Sequence, residues 1–171
     1  MHLVAIGGSD AGISAALRAR ELDPTTDVTV VVADAYPNFS ICGIPYYVSG
    51  EVGHWTNLAH RTHADLEATG MQLPPDTRVT AIDVDGGRIA VANPDGSEGF
   101  IGYDELVVGT GAVPVVPPIE GLSGGAALGA GDGVHLLHSM GDTFALTASF
   151  GCVAARHRVD RRGRLRGPGD G

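Results

Sequence analysis

Leu3–Ile6 is an unbroken apolar run that predicts a short buried parallel strand, and Val28–Val32 predicts a second, rich in β-branched residues. Between them Ala11–Leu22 is alanine-rich with good helix formers, and Pro24 ends that helix. Strand, helix and strand within about thirty residues make a βαβ unit. Asn38–Gly50 reads as irregular, and Thr62–Thr69 as a helix stopped at Gly70. From Thr77 the period changes to that of strands. Arg78–Val84, Arg88–Ala92 and Gly99–Tyr103 are separated by Asp85-Gly86-Gly87 and Pro94-Asp95-Gly96, which are hairpin turn sequences, so a small antiparallel meander is expected. Glu105–Val108 returns as a short apolar strand, after which Pro114, Pro117 and Pro118 lead the chain out as an extended connector. Gly121–Gly133 reads as a loop. His135–Leu146 reads as a strand end followed by a helix start with Ser139 or Asp142 as its cap, and no periodicity is visible beyond Ser149. The fold class expected is α/β, a parallel sheet with an inserted three-stranded antiparallel meander.

Composition changes this picture in two ways. The 171 residues are 43% hydrophobic and 18% charged, as in a soluble globular chain, and the 26 glycines point to tight turns and close backbone approaches. Six of the eleven basic residues lie between Arg156 and Arg166, which leaves residues 1–150 with five Arg against eighteen acids. Such an acidic body argues against nucleic acid as a partner. No apolar run reaches the length of a membrane span, and Leu3–Ile6 is too short for a signal-peptide core, so no membrane partner and a cytoplasmic location are expected. Cys42 and Cys152 form neither a disulfide framework nor a zinc spacing. His54, His60, His63, His135 and His138 show no pairing with acids on a helix face, so no metal site is expected.

Gly7-Gly8-Ser9-Asp10-Ala11-Gly12 follows the first strand and opens the helix, the position of a dinucleotide fingerprint. Gly7 allows a tight turn, Ser9 is small enough for backbone to approach a pyrophosphate, and Gly12 permits close helix packing. The helix N-terminus adds N–H donors and a positive dipole end. Two features depart from the usual pattern. Ser9 stands where the middle glycine belongs, and Val32 stands where an acid for the ribose is expected, which leaves Asp34 two residues further on, or backbone and water, to hold the ribose.

The segment Asn38-Phe39-Ser40-Ile41-Cys42-Gly43-Ile44-Pro45-Tyr46-Tyr47 resembles the Ser-Phe-x-x-Cys-Gly-x-Pro-Tyr stretch of the coenzyme A-disulfide reductase and NADH oxidase branch of the pyridine nucleotide-disulfide oxidoreductases, with Asn38 replacing the usual Ser. Tyr103–Pro114, containing Gly109-Thr110-Gly111-Ala112, resembles that family's second FAD motif, with Gly109 and Ala112 as departures. The resemblance implies a Rossmann-like FAD-binding domain. It places Gly7, Gly8, Ser9, Asp10, Ala11, Gly12, Ala33, Asp34, Ser40, Gly43, Val79, Thr110 and Gly111 at the cofactor, and makes Cys42 the redox group beside the flavin. With no second cysteine four or five residues on, the oxidised form of Cys42 is expected to be a mixed disulfide, persulfide or sulfenate.

The resemblance further implies an NADH- or NADPH-dependent oxidoreductase, a homodimer at full length, that reduces a small-molecule disulfide, a persulfide or oxygen. Residues 1–118 are expected to form the FAD-binding domain, 119–149 a linker toward an NAD-binding domain, and 150–171 a basic tail outside the fold. Codons can be chosen for Asp160–Gly171 that, read one base later, spell Thr-Val-Val-Gly-Gly-Tyr-Gly-Gly-Leu-Glu-Met, close to the glycine motif expected next. The expectation is therefore a truncated or frame-shifted chain, which sequencing the gene past codon 149 would settle. Two other readings stand beside this one: a non-catalytic FAD- or nucleotide-binding remnant, or a truncated product that holds no FAD at all, and a fragment of a ferredoxin- or rubredoxin-type reductase, which would share both FAD motifs but not the Cys42 segment.

Overall fold

A computed structural model describes residues 1–156, 158–159 and 165–166, with side-chain surroundings through Gly151. The chain divides into two units, Met1–Gly43 with Val52–Ala112, and Ile44–Glu51 with Val113–Gly171.

The first unit is built on a parallel sheet of β1 (His2–Ile6), β2 (Asp27–Val31) and β6 (Glu105–Val108), with β1 in the centre. Leu3 pairs with Val28 on one side and Glu105 on the other, and Ile6 pairs with Val31 and Val108. Helix α1 (Asp10–Leu22) is the crossover. It covers one face, where Ile13 and Ala16 join Leu3, Ala5, Val28 and Val30, together with Leu66 of α3 (His63–Ala68) and with Met71 and Leu73. The antiparallel meander β3 (Arg78–Asp83), β4 (Arg88–Ala92) and β5 (Glu98–Gly102) covers the other face, where Ile89 and Val91 meet Val4, Ile6 and Val31. Successive residues of β1 therefore point alternately into two cores. This is why its sequence is a solid apolar run rather than an alternation. Each fully buried Val, Leu or Ile contributes about 1.5–3 kcal/mol relative to exposure. The helix start at α3 is a capping box in which Thr62 and Asp65 bond each other's backbone N–H.

The second unit contains α2 (Ile44–Val48), the proline-rich connector and α4 (Met140–Arg156). The segment 38–50, expected to be irregular, instead holds a one-turn 3-10 helix at Ile41–Gly43 and then α2. Pro45 lies in the first turn of α2, where its missing N–H has no helical partner to lose. The strand end expected at His135 is absent, residues 134–137 being irregular, whereas the helix start is capped as expected. Ser139 and Asp142 form the cap: the Asp142 carboxylate accepts from the Ser139 N–H at 2.8 Å and the Ser139 hydroxyl accepts from the Asp142 N–H at 3.1 Å. Met140 and Thr143 are fully buried, and Tyr47 meets Phe144 edge-on with ring centroids 6.4 Å apart. Helix α4 continues past Ser149 to Arg156, beyond the last residue at which a pattern was visible. Arg158–Val159 and Leu165–Arg166 pair as two-residue antiparallel strands (β7 and β8); the rest of what was expected of the tail falls outside the described residues.

The Asp142 carboxylate is driven up by burial, but the Ser139 N–H and hydroxyl and the His138 N–H outweigh this and hold it below its ordinary value. A lowered folded-state pKa contributes stability that is present above the ordinary carboxylate range and lost as pH falls through the lowered value. Asp142→Ala is expected to cost about 1 kcal/mol at neutral pH. In urea unfolding followed by circular dichroism, the difference between wild type and variant should vanish in strong acid.

Candidate dinucleotide and redox site

The C-terminal ends of β1 and β6 meet at three glycines. Gly7 has φ +106°, a conformation closed to ordinary residues, and a Cβ there would overlap the Gly109 carbonyl oxygen. Gly12, the third residue of α1, is equally confined, because its Cβ would overlap the Gly7 carbonyl oxygen. The Gly7 N–H donates to the Val31 carbonyl at 2.9 Å, and the Gly109 N–H to the Ile6 carbonyl at 2.8 Å, so backbone alone closes the junction. The first and second glycine motifs, a hundred residues apart in the chain, are thus one place in the fold.

Ser9 occupies the N-cap of α1, yet its side chain makes no cap; the hydroxyl donates to the Gly109 carbonyl at 3.2 Å. Ile13 donates the first helical N–H, to the Ser9 carbonyl at 3.1 Å. The turn of N–H groups ahead of it, at the positive end of a 13-residue helix, has the donor chemistry that a diphosphate takes. Asp10 and Ala11 are exposed there, as are Thr110 and Gly111 at the end of β6. Gly8 packs against Val32, whose methyls would lie 2.8–2.9 Å from a Cβ at that position.

Val32 is buried at the end of β2 and cannot bind a ribose hydroxyl. Asp34 is half-buried, and its Oδ1 accepts from the Tyr36 N–H at 2.8 Å. Its second oxygen is a further acceptor, on the residue next to exposed Ala33. A hollow of about 120 Å³, lined by Val32, Asp34, Ala35, Pro37, His63, Leu73, Pro74 and Pro75, adjoins it. Val79 lies on β3 and packs against the core of Val4, Ile6 and Val31.

Cys42 is exposed, in the middle of the 3-10 turn Ile41–Gly43. The Gly43 N–H closes that turn on the Ser40 carbonyl at 3.0 Å, and the Ser40 N–H donates to the Leu58 carbonyl at 2.8 Å. A side chain at Gly43 would run into Leu58, with Cβ to Cδ2 at 2.6 Å. Asn38, noted in the sequence only for replacing Ser, proves to be the junction residue. Its N–H donates to the Gly8 carbonyl at 2.7 Å, its carbonyl accepts from the His60 N–H at 2.8 Å, and its side-chain amide donates to Asp10 Oδ1 at 3.1 Å. With φ +54° it sits in the left-handed region, where Asn is one of the few tolerated residues; that preference was the available signal. The Cys42 segment is thereby tied to the glycine turn. Among the described residues no cluster of His, Cys, Asp and Glu could hold a metal ion, and no helix is long and apolar enough to cross a membrane.

Comparison with known proteins identifies the family. Residues 1–148 match the family model described as pyridine nucleotide-disulphide oxidoreductase. The chain is 37% identical over 120 residues to an NAD(P)H sulfur oxidoreductase (CoA-dependent) of Pyrococcus abyssi, covering 70% of this chain and 26% of that one. It is 30% identical over 122 residues to an NADH oxidase of Methanocaldococcus jannaschii, covering 71% and 27% respectively. The solved structure of an NAD-dependent persulfide reductase from A. fulgidus superposes with a TM-score of 0.78 at 35% identity, over 88% of this chain and 27% of that one. The chain spans about a quarter of the length of these relatives. The glycine junction, the parallel sheet with its inserted meander and the match over residues 1–148 together place this chain in the pyridine nucleotide-disulphide oxidoreductase family.

Proposed function

We propose that this chain is the FAD-binding, cysteine-bearing part of an NAD(P)H-dependent oxidoreductase that reduces a small disulfide, a persulfide or oxygen. One observation carries the reading: the 2.7 Å hydrogen bond from the Asn38 N–H to the Gly8 carbonyl, which fastens the Cys42 segment to the dinucleotide turn. The residues present fit FAD. Gly7 and Gly12 leave no room for side chains at the turn, the first N–H groups of α1 have no side-chain cap, and Asp34 keeps one carboxylate oxygen available. Gly8, Ser9, Asp10, Ala11, Thr110 and Gly111 would surround the diphosphate, Ala33 and Asp34 the ribose, and Ser40 and Gly43 the flavin side. Val79 would act indirectly, through the packing of β3.

When bound, FAD supplies the two-electron carrier between a reduced nicotinamide and sulfur. The chain's own step is nucleophilic. The Cys42 thiolate attacks one sulfur of the substrate disulfide, forming a mixed disulfide and releasing the other half as a thiolate. The exposed 3-10 turn presents Cys42 to a substrate, while the bonds at Ser40 and Asn38 fix its backbone. The NAD-binding part, the dimer and a cytoplasmic location belong to the whole enzyme in this reading, with the chain as its N-terminal portion.

Titrating FAD into the purified chain tests the proposal. Saturable quenching of flavin fluorescence at one FAD per chain is expected. Flavin that stays free at micromolar protein would support the non-catalytic remnant instead. Disulfide reduction that survives without Cys42 would support a ferredoxin- or rubredoxin-type reductase.

A further inference from the structure

Asp10 presents a difficulty for an anion site. A carboxylate in the first turn of a helix stabilises the helix dipole, and for the same reason it competes with any phosphate for the same N–H groups. Nothing else caps this end of α1, since the Ser9 hydroxyl is turned to Gly109. Asp10 is the acidic residue of that first turn.

Its position is set by Asn38, whose amide nitrogen donates to Asp10 Oδ1 at 3.1 Å. Asn38 is 3% exposed, and its backbone is held at both ends, by Gly8 and by His60. The amide is thus a fixed donor rather than a mobile one. Keeping it there has two costs, a left-handed backbone at φ +54° and a buried Oδ1 with no hydrogen-bond partner among the described residues. A residue chosen only for packing would avoid both.

We propose that Asn38 is a positioning residue that latches the Asp10 carboxylate away from the N–H groups of the glycine turn, keeping the diphosphate site open. The proposal rests on the FAD reading above. Without the latch, Asp10 swings onto the first-turn N–H groups and acts as an internal competitor of the dinucleotide. Asp10 and Asn38 together then set the affinity of the turn for a diphosphate.

The test is a double-mutant cycle read by binding, with FAD and, separately, ADP as titrants. Asn38→Ala should weaken FAD binding about tenfold, the value of one charge-assisted hydrogen bond. In the Asp10→Asn background, Asn38→Ala should cost no more than about twofold relative to Asp10→Asn alone, so that most of the tenfold loss disappears once Asp10 carries no charge. ADP should follow the same pattern, since the competition is for the diphosphate. Asn38→Ser, which keeps a hydroxyl donor but cannot reach as far, should fall between Asn38→Ala and wild type. Urea midpoints identify any variant that binds poorly because it is unfolded, and for such a variant the Asn38→Ser pair supplies the cycle. Additive effects, with no rescue by Asp10→Asn, would overturn the latch while leaving the FAD reading intact. Absence of FAD binding by the wild-type chain would overturn both.

Discussion

Gly7→Val is expected to weaken FAD binding strongly and to destabilise the first unit. Gly7 holds φ +106°, which by itself costs a β-branched residue about 1–3 kcal/mol, and its Cβ would overlap the Gly109 carbonyl. Relief requires β1 and β6 to separate at the point where their backbone bonds close the junction, so the N–H groups of the turn move with them. FAD affinity should drop by at least about a hundredfold, equivalent to roughly 2.7 kcal/mol. Gly53→Ala is the control: Gly53 has open space around its Cβ position and no left-handed backbone, so binding and stability should match wild type. Fluorescence titration and urea unfolding of the two variants check the expectation. A Gly7→Val protein that binds FAD normally would mean that the junction is not the diphosphate site.

Cys42→Ser should leave FAD binding unchanged and remove thiol chemistry at this position. A serine hydroxyl is isosteric but is not ionised near neutral pH and forms no disulfide, so mixed-disulfide formation at residue 42 falls to nothing. The measurement is peptide mapping by mass spectrometry after exposure to a small disulfide. Wild type should carry the adduct on the peptide containing Cys42, and adduct on Cys152 serves as an internal control for non-specific reaction. On the proposed function, disulfide turnover by the whole enzyme should fall on the order of 10³-fold or more. Modification of Cys152 alone in the wild-type chain would remove Cys42 from the mechanism.

The βαβ core was legible because both faces of β1 are covered, so burial wrote a solid apolar run at Leu3–Ile6, and because turn chemistry at Asp85-Gly86-Gly87 and Pro94-Asp95-Gly96 forced the meander. The glycine junction was legible from each side separately: Gly7 and Gly12 by their motif, and Gly109 by its place after the returning strand. What stayed hidden follows from short range and from partners. Helix α2 is five residues with Pro45, two tyrosines and a β-branched valine, too short and of too poor helix propensity to show a period. Helix α4 runs on through Phe150, Gly151, Cys152 and Val153, residues of poor helix propensity that gave no sign of it. Asp34 could be proposed for the ribose, but only the coordinates show one of its oxygens already bonded to the Tyr36 N–H. Asn38 looked like a neutral departure from Ser until its three bonds to Gly8, Asp10 and His60 were in view, because a side chain's partners across 28 residues leave no trace in local pattern.

The central claim is that the glycine turn and Cys42 serve one cofactor. A thiolate against an electron-poor isoalloxazine ring gives a charge-transfer absorption at longer wavelength than either group alone, so the claim can be read in a spectrum. FAD-saturated wild-type chain should develop this band on addition of base, and FAD-saturated Cys42→Ser should not, at equal FAD occupancy. Identical spectra from the two proteins on that addition would contradict the account.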